Sequence, residues 1–338
     1  MSDGRTMRRW YCEQHVVRQL PLLFRLWARY LRFGPKRSGG GTAGGSLIFN
    51  MLKRRRADPS IAFYWTIKRP NSNSKLTIDL YDFECFNHTL DLWLYGDRIG
   101  QVVRWILHGG GTFIDAGANY GVYTLAAVLD CSRAIRVLAV EPQRKVAEAL
   151  RRTVRYSGLD NVIVYEVALG EAAGAGCLYA PETSSGTASM VRKNVDPAWP
   201  LIELRVRIET LDSIAKSTGD SVTLVKLDIQ GSELNALRGA TTLLHKKGPY
   251  VLFEVESTLH PDLQEQERVF TLLQAAGYER FFDLSTMLEW NPRQQAIKSD
   301  VIAVPPHYEI DFEKYRRNAK RSPGVSALGA SQKLDQFN

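Results

Sequence analysis

The sequence predicts an α/β fold with a mostly parallel sheet, and two observations support this prediction. The first is that apolar runs of strand length alternate with helix-length segments between residues 109 and 306. A chain with this alternation builds a parallel sheet that binds ligands at the carboxyl ends of its strands. The second is that four acids stand at the ends of such runs: Asp115, Glu141, Asp228 and Glu254. Because a buried acid without a partner is costly, these acids predict a binding site at one edge of the sheet.

Residues 61–108 are predicted to form a small β/α lead-in to this core. Residues 61–67 and 76–81 have the composition of strands, and a turn-forming cluster at 70–74 separates them. Residues 97–108 carry apolar side chains at helical spacing, and three glycines at 109–111 end this helix.

Strands and helices are predicted to alternate through the core, residues 109–306, as far as residue 304. Helices are expected at residues 122–129, 143–156, 211–216, 234–244 and 265–276. Strands are expected near Phe113 and at 135–140, 161–167, 222–228, 250–255, 278–283 and 299–304. Residues 169–221 interrupt the rhythm with strand-like runs at 177–180 and 202–208, which predict a hairpin-like insertion over the site.

The two ends of the chain differ from the core in composition. Residues 1–60 are predicted to be a basic arm, in which residues 15–33 are an amphipathic helix with four arginines and residues 34–45 are a linker with six glycines. The helix either lies on the anionic inner face of a membrane or packs on its own domain or a partner. Residues 307–338 are polar and charged, so a poorly ordered tail is expected.

Charge and composition limit the classes of partner. The 338 residues carry a net charge of +8, but residues 1–60 hold 13 Lys/Arg and 3 Asp/Glu, so the remainder is mildly acidic and no nucleic-acid substrate is expected. The four cysteines lack zinc spacing, and the sequence shows neither an 18-residue uncharged apolar run nor a signal-peptide pattern. We therefore expect a cytoplasmic protein, with peripheral membrane contact as the open alternative. The sequence does not indicate an oligomeric state.

The stretch 112–121 is the centre of the core, because two glycines and an asparagine follow the first strand and precede a helix. Such a turn brings backbone N–H groups close to a ligand. A dinucleotide site needs G-x-G-x-x-G, and Asn119 in place of a glycine argues against a nicotinamide oxidoreductase. Asp115 suits an ammonium group and the turn suits a carboxylate, and S-adenosylmethionine (SAM) carries both. SAM is the predicted cofactor, with an ordinary strand-turn-helix corner as the alternative.

Later strand ends extend this predicted site. Glu141 follows Gly121 by 20 residues and is predicted to accept hydrogen bonds from ribose hydroxyls. A cap on the helix that begins beside it is the alternative, and the two roles are compatible. Ala168 ends the third strand, near where an adenine is expected. In the insertion, the hydroxyls of Ser184 and Ser185 are candidates for holding a polar substrate, and an ordinary loop is the alternative.

Several motifs resemble the FkbM family of SAM-dependent methyltransferases. They are FIDAGANYGVYTL at 113–125, AVEP at 139–142, ALGE at 168–171, ETLDSI at 209–214, VKLDIQGSELNALRGA at 225–240 and LFEV at 252–255. The resemblance implies a class I methyltransferase fold, which is Rossmann-like, with a seven-stranded, mostly parallel sheet, helices on both faces and an antiparallel last hairpin. It also implies O-methylation of a hydroxyl on a sugar, glycan or polyketide-like natural product.

The resemblance also implies roles for individual residues. Those implied for the methionine end of the cofactor are Asp115, Gly117, Asn119 and Gly121, with Glu141 on the ribose. Those implied beside the reacting groups are Asp228, Gly231 and Glu233. Gln230 stands where the commonest form of this motif has an acid.

Methyl transfer from a sulfonium needs alignment and a group that accepts the proton of the attacking hydroxyl. Asp228 is the predicted proton acceptor, and Glu254 and His260 are the alternatives. The spacing of Asp228 and Glu254 does not demand a metal, so none is predicted. The predicted methyl acceptor is a small molecule or a glycan. A nucleic-acid methyltransferase and a SAM-binding protein without turnover are the alternative functions.

Overall fold

The computed structural model describes residues 49–50, 62, 64–68, 73–85, 89–90, 92, 97–129, 134–219, 221–245, 248–255, 263–291, 299–306 and 308. The predicted amphipathic helix at 15–33, the linker at 34–45, His260 and residues 309–338 of the tail lie outside the described residues. None of the helices in the described part combines the length and hydrophobicity needed to cross a lipid bilayer.

The lead-in contains two antiparallel strands and a helix, as predicted. Strand β1 is Tyr64–Lys68, strand β2 is Lys75–Asp79, and helix α1 is Arg98–Ile106. Helix α1 begins at Asp97 because the Asp97 carboxylate accepts a hydrogen bond of 2.8 Å from the Gly100 N–H. A 3-10 turn, Leu107–Gly109, leads from this helix into the core.

The core follows the predicted alternation of strands and helices. Its described elements, in chain order, are β3 (Gly111–Ala116), α2 (Val122–Val128), β4 (Ile135–Val140), α3 (Arg144–Ser157), β5 (Val162–Tyr165), β6 (Ala168–Leu169), β7 (Gly174–Pro181), β8 (Leu201–Glu209), α4 (Leu211–Lys216), β9 (Val222–Leu227), α5 (Glu233–Arg238), α6 (Thr241–His245), β10 (Tyr250–Val255), α7 (Leu263–Ala275), β11 (Arg280–Asp283), β12 (Leu288–Glu289) and β13 (Ser299–Val304).

The central sheet has the order β12-β11-β13-β10-β9-β3-β4-β5. The five strands from β10 to β5 are parallel, and β13 runs antiparallel between β10 and β11. These seven strands and the antiparallel last hairpin are those of the class I methyltransferase fold, and the two-residue strand β12 adds an eighth at the edge. Strands β3 and β9 are neighbours although they are far apart in sequence, so their carboxyl ends form the switch point where α/β sheets bind ligands.

The central strands are apolar throughout because both faces of the sheet are covered. Phe113 packs with Val137 in the hydrophobic cluster on one face, and the next residue, Ile114, packs with Leu138 in the cluster on the other. Strand β2 is anchored on helix α3, since the Thr77 N–H donates to the Thr153 hydroxyl at 2.9 Å. The lead-in is thereby held beside the strand ends that form the site.

The insertion is a hairpin, as predicted, and it forms a sheet of its own. Strands β7 and β8 pair antiparallel from Gly174 opposite Ile208 to Pro181 opposite Leu201. Strand β6 joins them in parallel with β8, so the three-stranded sheet has the order β6-β8-β7. This arrangement ties the insertion to the chain that has just left β5.

The single helix predicted at 234–244 is wrong, because the chain forms two short helices, α5 and α6, with a break at Gly239. A Cβ at Gly239 would lie 2.2 Å from the Gly170 carbonyl oxygen, so the backbone passes too close to the insertion for another residue type. The Asp212 carboxylate then accepts hydrogen bonds from the N–H groups of Thr242 and Leu243, which starts helix α6 anew.

Candidate functional site

A cavity of about 320 Å³ lies at the carboxyl ends of β3, β4 and β9. The turn at residues 117–121 between β3 and α2, called the glycine corner below, lines this cavity. The lead-in, the insertion and the loop after β9 complete its wall. Predicted site residues that line it are Gly117, Asn119, Glu141, Ala168, Ser185, Asp228 and Glu254. Asp115, Gly121, Ser184, Gly231 and Glu233 lie outside this lining.

The glycine corner requires its residue types on steric grounds. Gly117 has φ 72°, and a Cβ there would lie 1.8 Å from the Asp228 carbonyl oxygen. Gly121 has φ 89°, and a Cβ there would lie 2.4 Å from a methyl group of Leu150. Asn119 also has positive φ, at 48°, which asparagine tolerates better than most residues. Any larger residue at position 117 would push the chain after β9 away from β3 and fill the space that this turn leaves for a ligand.

Glu141 occupies the end of β4 and joins the glycine corner to helix α3. Its two carboxylate oxygens accept hydrogen bonds from the Asn119 N–H at 3.0 Å and the Gln143 N–H at 2.9 Å. Burial raises the pKa of Glu141 to about 7 against the effect of these hydrogen bonds. Each oxygen keeps a second lone pair, so capping of α3 and acceptance of ribose hydroxyls are compatible. The ribose role stays a prediction.

Asp115 is fully buried behind the cavity wall. One carboxylate oxygen accepts a 2.7 Å hydrogen bond from the Thr124 hydroxyl, and the other has no hydrogen-bond partner among the described residues. Burial raises the pKa of Asp115, while the positive charge of Lys226 opposes that rise. The turn at Gly117 leaves room for the carboxylate predicted for SAM. Because Asp115 lies behind the wall, its contact with the ammonium group of SAM stays a prediction.

The loop after β9 holds two carboxylates together through an amide. The Gln230 side-chain N–H₂ group donates to Asp228 Oδ1 and to Glu254 Oε2, at 3.2 Å in each case. Gln230 has φ 53°, and its carbonyl oxygen accepts hydrogen bonds from Ser189 and Asn194 of the insertion. The insertion therefore fixes the conformation of the loop that presents Asp228.

Lys226 is a site residue that the sequence analysis missed. Its side chain is 1% exposed, and its ammonium lies 3.0 Å from Asp228 Oδ2 and 4.8 Å from the centre of the Tyr123 ring. Burial would lower the pKa of Lys226, but the carboxylates of Asp228 and Asp115 together raise it above its usual value. Its signal was a lone charge in the apolar run of β9, because a buried charge needs a partner.

Asp300 is a second residue near this cluster that the sequence analysis missed. It lies opposite Glu254 in the antiparallel pairing of β10 with β13. Burial and the neighbouring Asp228 raise the pKa of Asp300 to about 7, while Lys226 opposes the rise. No signal in the sequence placed it here, because β13 follows β11 in the chain but inserts beside β10.

Three predicted substrate-binding residues have structural contacts instead of a place on the wall. Glu233 is buried, and its Oε1 accepts a 3.0 Å hydrogen bond from the Ile229 N–H, which closes the loop after β9. Gly231 supplies positive φ, at 93°, in the same loop. Ser184 is buried in the insertion, whereas Ser185 beside it lines the cavity and donates to the Asn119 side-chain oxygen at 3.3 Å.

Asp82 of the lead-in joins three parts of the site. Its buried carboxylate accepts hydrogen bonds from the Tyr120 hydroxyl at 2.7 Å and from the Ser185 N–H at 3.2 Å. Next to it, the Phe83 N–H donates to the Thr183 carbonyl oxygen. The glycine corner, the lead-in and the insertion therefore meet at one carboxylate, which no local sequence pattern indicated.

We expect the stability of the protein to depend on pH through Asp82. Burial raises the pKa of Asp82 to about 6, whereas the pKa in the unfolded state is near 3.8. Between these two pH values the folded state keeps a proton on Asp82 that the unfolded state has lost. Raising the pH from 4 to 6 should therefore lower the free energy of unfolding relative to an Asp82→Asn variant, by up to about 3 kcal/mol. Urea denaturation at several pH values measures the difference. The exposed Asp160→Asn serves as control, and a pH-independent difference for Asp82→Asn would contradict the expectation.

Within the described part of the chain, no group of three or more His, Cys, Asp or Glu residues has the geometry to hold a metal ion. Asp228 and Glu254 are instead bridged by the Gln230 amide.

Sequence comparison identifies the domain. Residues 115–280 match the family described as the methyltransferase FkbM domain. The chain carries an FkbM methyltransferase domain. No curated protein sequence matches the chain. The FkbM match runs from Asp115 at the end of β3 to Arg280 at the start of β11, so it contains the glycine corner, the insertion and the loop after β9.

Solved structures that resemble this FkbM domain have low sequence identity to it. An FkbM methyltransferase from Methylobacillus flagellatus KT is 17% identical, with a TM-score of 0.40, over 58% of this chain and 44% of that one. An O-methyltransferase from Bacillus cereus in complex with SAH is 13% identical, with a TM-score of 0.37, over 61% and 80% of the chains. The O-methyltransferase TomG from Streptomyces achromogenes is 10% identical, with a TM-score of 0.36, over 61% and 78%. The present chain thus spans less than half of the Methylobacillus protein.

The FkbM domain is a SAM-dependent methyltransferase.

We expect Glu141→Ala to weaken SAM binding by about 10- to 100-fold, because hydrogen bonds to a charged group contribute about 1.5–3 kcal/mol. Isothermal titration calorimetry measures the affinity. Glu148→Ala removes an acid from α3 that pairs with Arg152 outside the cavity, and it should leave the affinity unchanged. Unchanged SAM affinity in Glu141→Ala would remove Glu141 from the cofactor site.

Proposed function

We propose that this FkbM domain transfers a methyl group from SAM to a hydroxyl of a sugar, glycan or polyketide-like natural product. The observation that carries the proposal is the placement of Asp228 and Glu254 on the cavity wall, held by one amide and backed by Lys226. Glu141 ends β4 and Asp228 ends β9, on opposite sides of β3. The wall thus offers a nucleoside end and a proton-accepting end.

The chemistry requires little beyond alignment and removal of one proton. Bound SAM supplies a methyl group already activated by its sulfonium. As the carbon–oxygen bond to the acceptor forms, the carbon–sulfur bond breaks and the hydroxyl loses its proton. Asp228 accepts that proton in the proposed mechanism, because the ammonium of Lys226 keeps its carboxylate charged and fixed in direction. The proton then passes to solvent.

The insertion supports this chemistry by covering the cavity. Four consecutive residues of the insertion line the wall between the glycine corner and the lead-in, namely residues 185–188. Their polar groups include hydroxyls at Ser185 and Thr187, which suit an acceptor that itself carries hydroxyls. A small molecule or glycan is the proposed acceptor class, since no lysine or arginine stands among the described lining residues to hold a nucleic-acid backbone.

The proposal is tested by following the methyl group. The purified protein is incubated with SAM labelled in its methyl group and with glycan and metabolite extracts from cells that lack the gene. We expect label in an O-methyl ether, identified by mass spectrometry, and loss of the same ether from the gene-deleted cells. Label in RNA that disappears at high salt would favour a nucleic-acid methyltransferase. SAM binding without transfer to any hydroxyl would mark a protein without turnover.

A further inference from the structure

The proton-accepting end of the cavity, around Asp228 and Glu254, is strongly anionic. Three acids line it, namely Glu84, Asp228 and Glu254, and the described lining residues include no lysine, arginine or histidine. Among the described residues, the buried Lys226 supplies a positive charge here, but it is 1% exposed and shares its charge among Asp228, Asp115 and Asp300. Even with the single net positive charge of SAM in place, the described side chains give this part of the cavity an excess of negative charge.

Glu84 is the acid without an evident structural task. Its backbone N–H donates to the Asp82 carboxylate, which fixes the start of the turn, but its own carboxylate has no hydrogen bond or ion pair with the described residues. The carboxyl group packs against the insertion, since a Cβ at Gly186 would lie 2.9 Å from its carbon. Burial, and then the charge of Asp228, raise the pKa of Glu84. Such a carboxylate is stabilised by a positively charged partner.

An independent observation comes from Ser232. Its side chain is 4% exposed, lines the same cavity, and its hydroxyl has no hydrogen-bond partner among the described residues. A buried hydroxyl without a partner is costly, so its place on the wall indicates a ligand group that completes the hydrogen bond. An ammonium group has three donors and no acceptor, and therefore suits carboxylates and a hydroxyl oxygen together.

We propose that the methyl acceptor is a cationic hydroxyl compound, such as an amino sugar, whose ammonium binds Glu84 and the Ser232 hydroxyl beside Asp228. This inference rests on the proposed function and names the substrate class for the same site. The same charges disfavour uronic acids, sialic acids and phosphorylated sugars, because their anionic groups would meet Asp228 and Glu254 at close range. The amino group of the acceptor is bound as an ammonium and therefore has no free lone pair, so the attacking atom is a hydroxyl oxygen.

Binding to the protein saturated with S-adenosylhomocysteine tests this inference separately from turnover. The probes are methyl glycosides of 2-amino sugars in the gluco, galacto and manno configurations, each paired with its N-acetylated form and with the neutral parent sugar. In at least one configuration the amine should bind about tenfold more tightly than its N-acetylated form, as one additional charged contact predicts. Equal affinities for amine and N-acetyl forms, or no binding of any amine, would overturn the inference.

Glu84→Gln provides the specific variant, and Glu182→Gln on the exposed surface of the insertion provides the matched control. Glu84→Gln should reduce the advantage of the amine to less than about twofold, whereas Glu182→Gln should leave it intact. If Glu84→Gln weakens SAM and spares the glycosides, Glu84 serves the cofactor and the inference fails.

Methyl transfer to the same probes separates this inference from the proposed function. Equal transfer to neutral and amino sugars would retain the proposed function and reject the cationic acceptor. Preferential binding of amines without transfer to oxygen would retain the cation site and reject the proposed function. An N-methyl product would reject hydroxyl transfer while supporting recognition of an amine.

Discussion

Replacing Asp228 with asparagine should lower kcat by about 10²- to 10⁴-fold and leave SAM affinity nearly unchanged, because a positioned proton acceptor contributes a factor of that size. Asparagine keeps the shape of the side chain and the contact with the Gln230 amide can persist through its oxygen. It loses the charge that Lys226 orients at 3.0 Å. Turnover with labelled SAM and SAM affinity by calorimetry are both measured.

Two further variants identify the acid that accepts the proton. Glu254→Gln removes the second carboxylate bound by Gln230 and should lower kcat less than Asp228→Asn does, because the ammonium of Lys226 orients Asp228 at 3.0 Å for proton transfer. Glu171→Gln removes an exposed acid that pairs with Arg238 and serves as the control. Full loss of turnover in Glu254→Gln with activity retained in Asp228→Asn would transfer the role to Glu254.

The amide at position 230 explains how this sequence departs from the acid expected in its motif. An acid there would place a third negative charge between Asp228 and Glu254, and like charges at such distances repel. The amide instead donates to both carboxylates at 3.2 Å and sets their separation. Glutamine at this position therefore positions two acids, and in the proposed mechanism its neighbour Asp228 accepts the proton.

The sequence predicted most of the fold because buried parallel strands are apolar without interruption and their flanking glycines are required sterically. Strands β4 and β10 lie where the apolar runs placed them. The prediction failed at Gly239, where the reason for the break is contact with Gly170 about 70 residues earlier, a relation that helical periodicity does not contain.

The candidate site was predictable where its residues end strands and was missed where they come from elsewhere. Asp228 and Glu254 end neighbouring strands of one sheet, so sequence rhythm brings them together. Glu84 and Asp82 come from the lead-in, whose strands pack on α3. Glu84 lines the cavity, and Asp82 binds Tyr120 and Ser185 behind the wall. Long-range packing of this kind has no local signature, and a lone charge such as Lys226 within an apolar strand is the closest approach to one.

Lys226→Met should produce the largest loss of stability, about 3–5 kcal/mol, because it removes the ammonium from a buried group of carboxylates and leaves those charges uncompensated. The Lys226 side chain fits methionine in length, so the change tests charge with little change in packing. Urea denaturation measures the free energy of unfolding. Lys226→Met combined with Asp115→Asn should recover part of the loss, since it removes one of the stranded charges, and Lys216→Met on α4 is the surface control.

The pH dependence of Lys226→Met distinguishes lost charge from lost packing. Lys226 opposes the rise of the pKa values of Asp115 and Asp300, so its removal should raise both pKa values further. The folded variant would then bind more protons than the unfolded chain, and its deficit in stability relative to wild type should grow as the pH rises through 7 and shrink toward pH 5. A deficit that is constant with pH would show that Lys226 stabilises the fold by packing alone, and the orientation of Asp228 for proton transfer would then need a different cause.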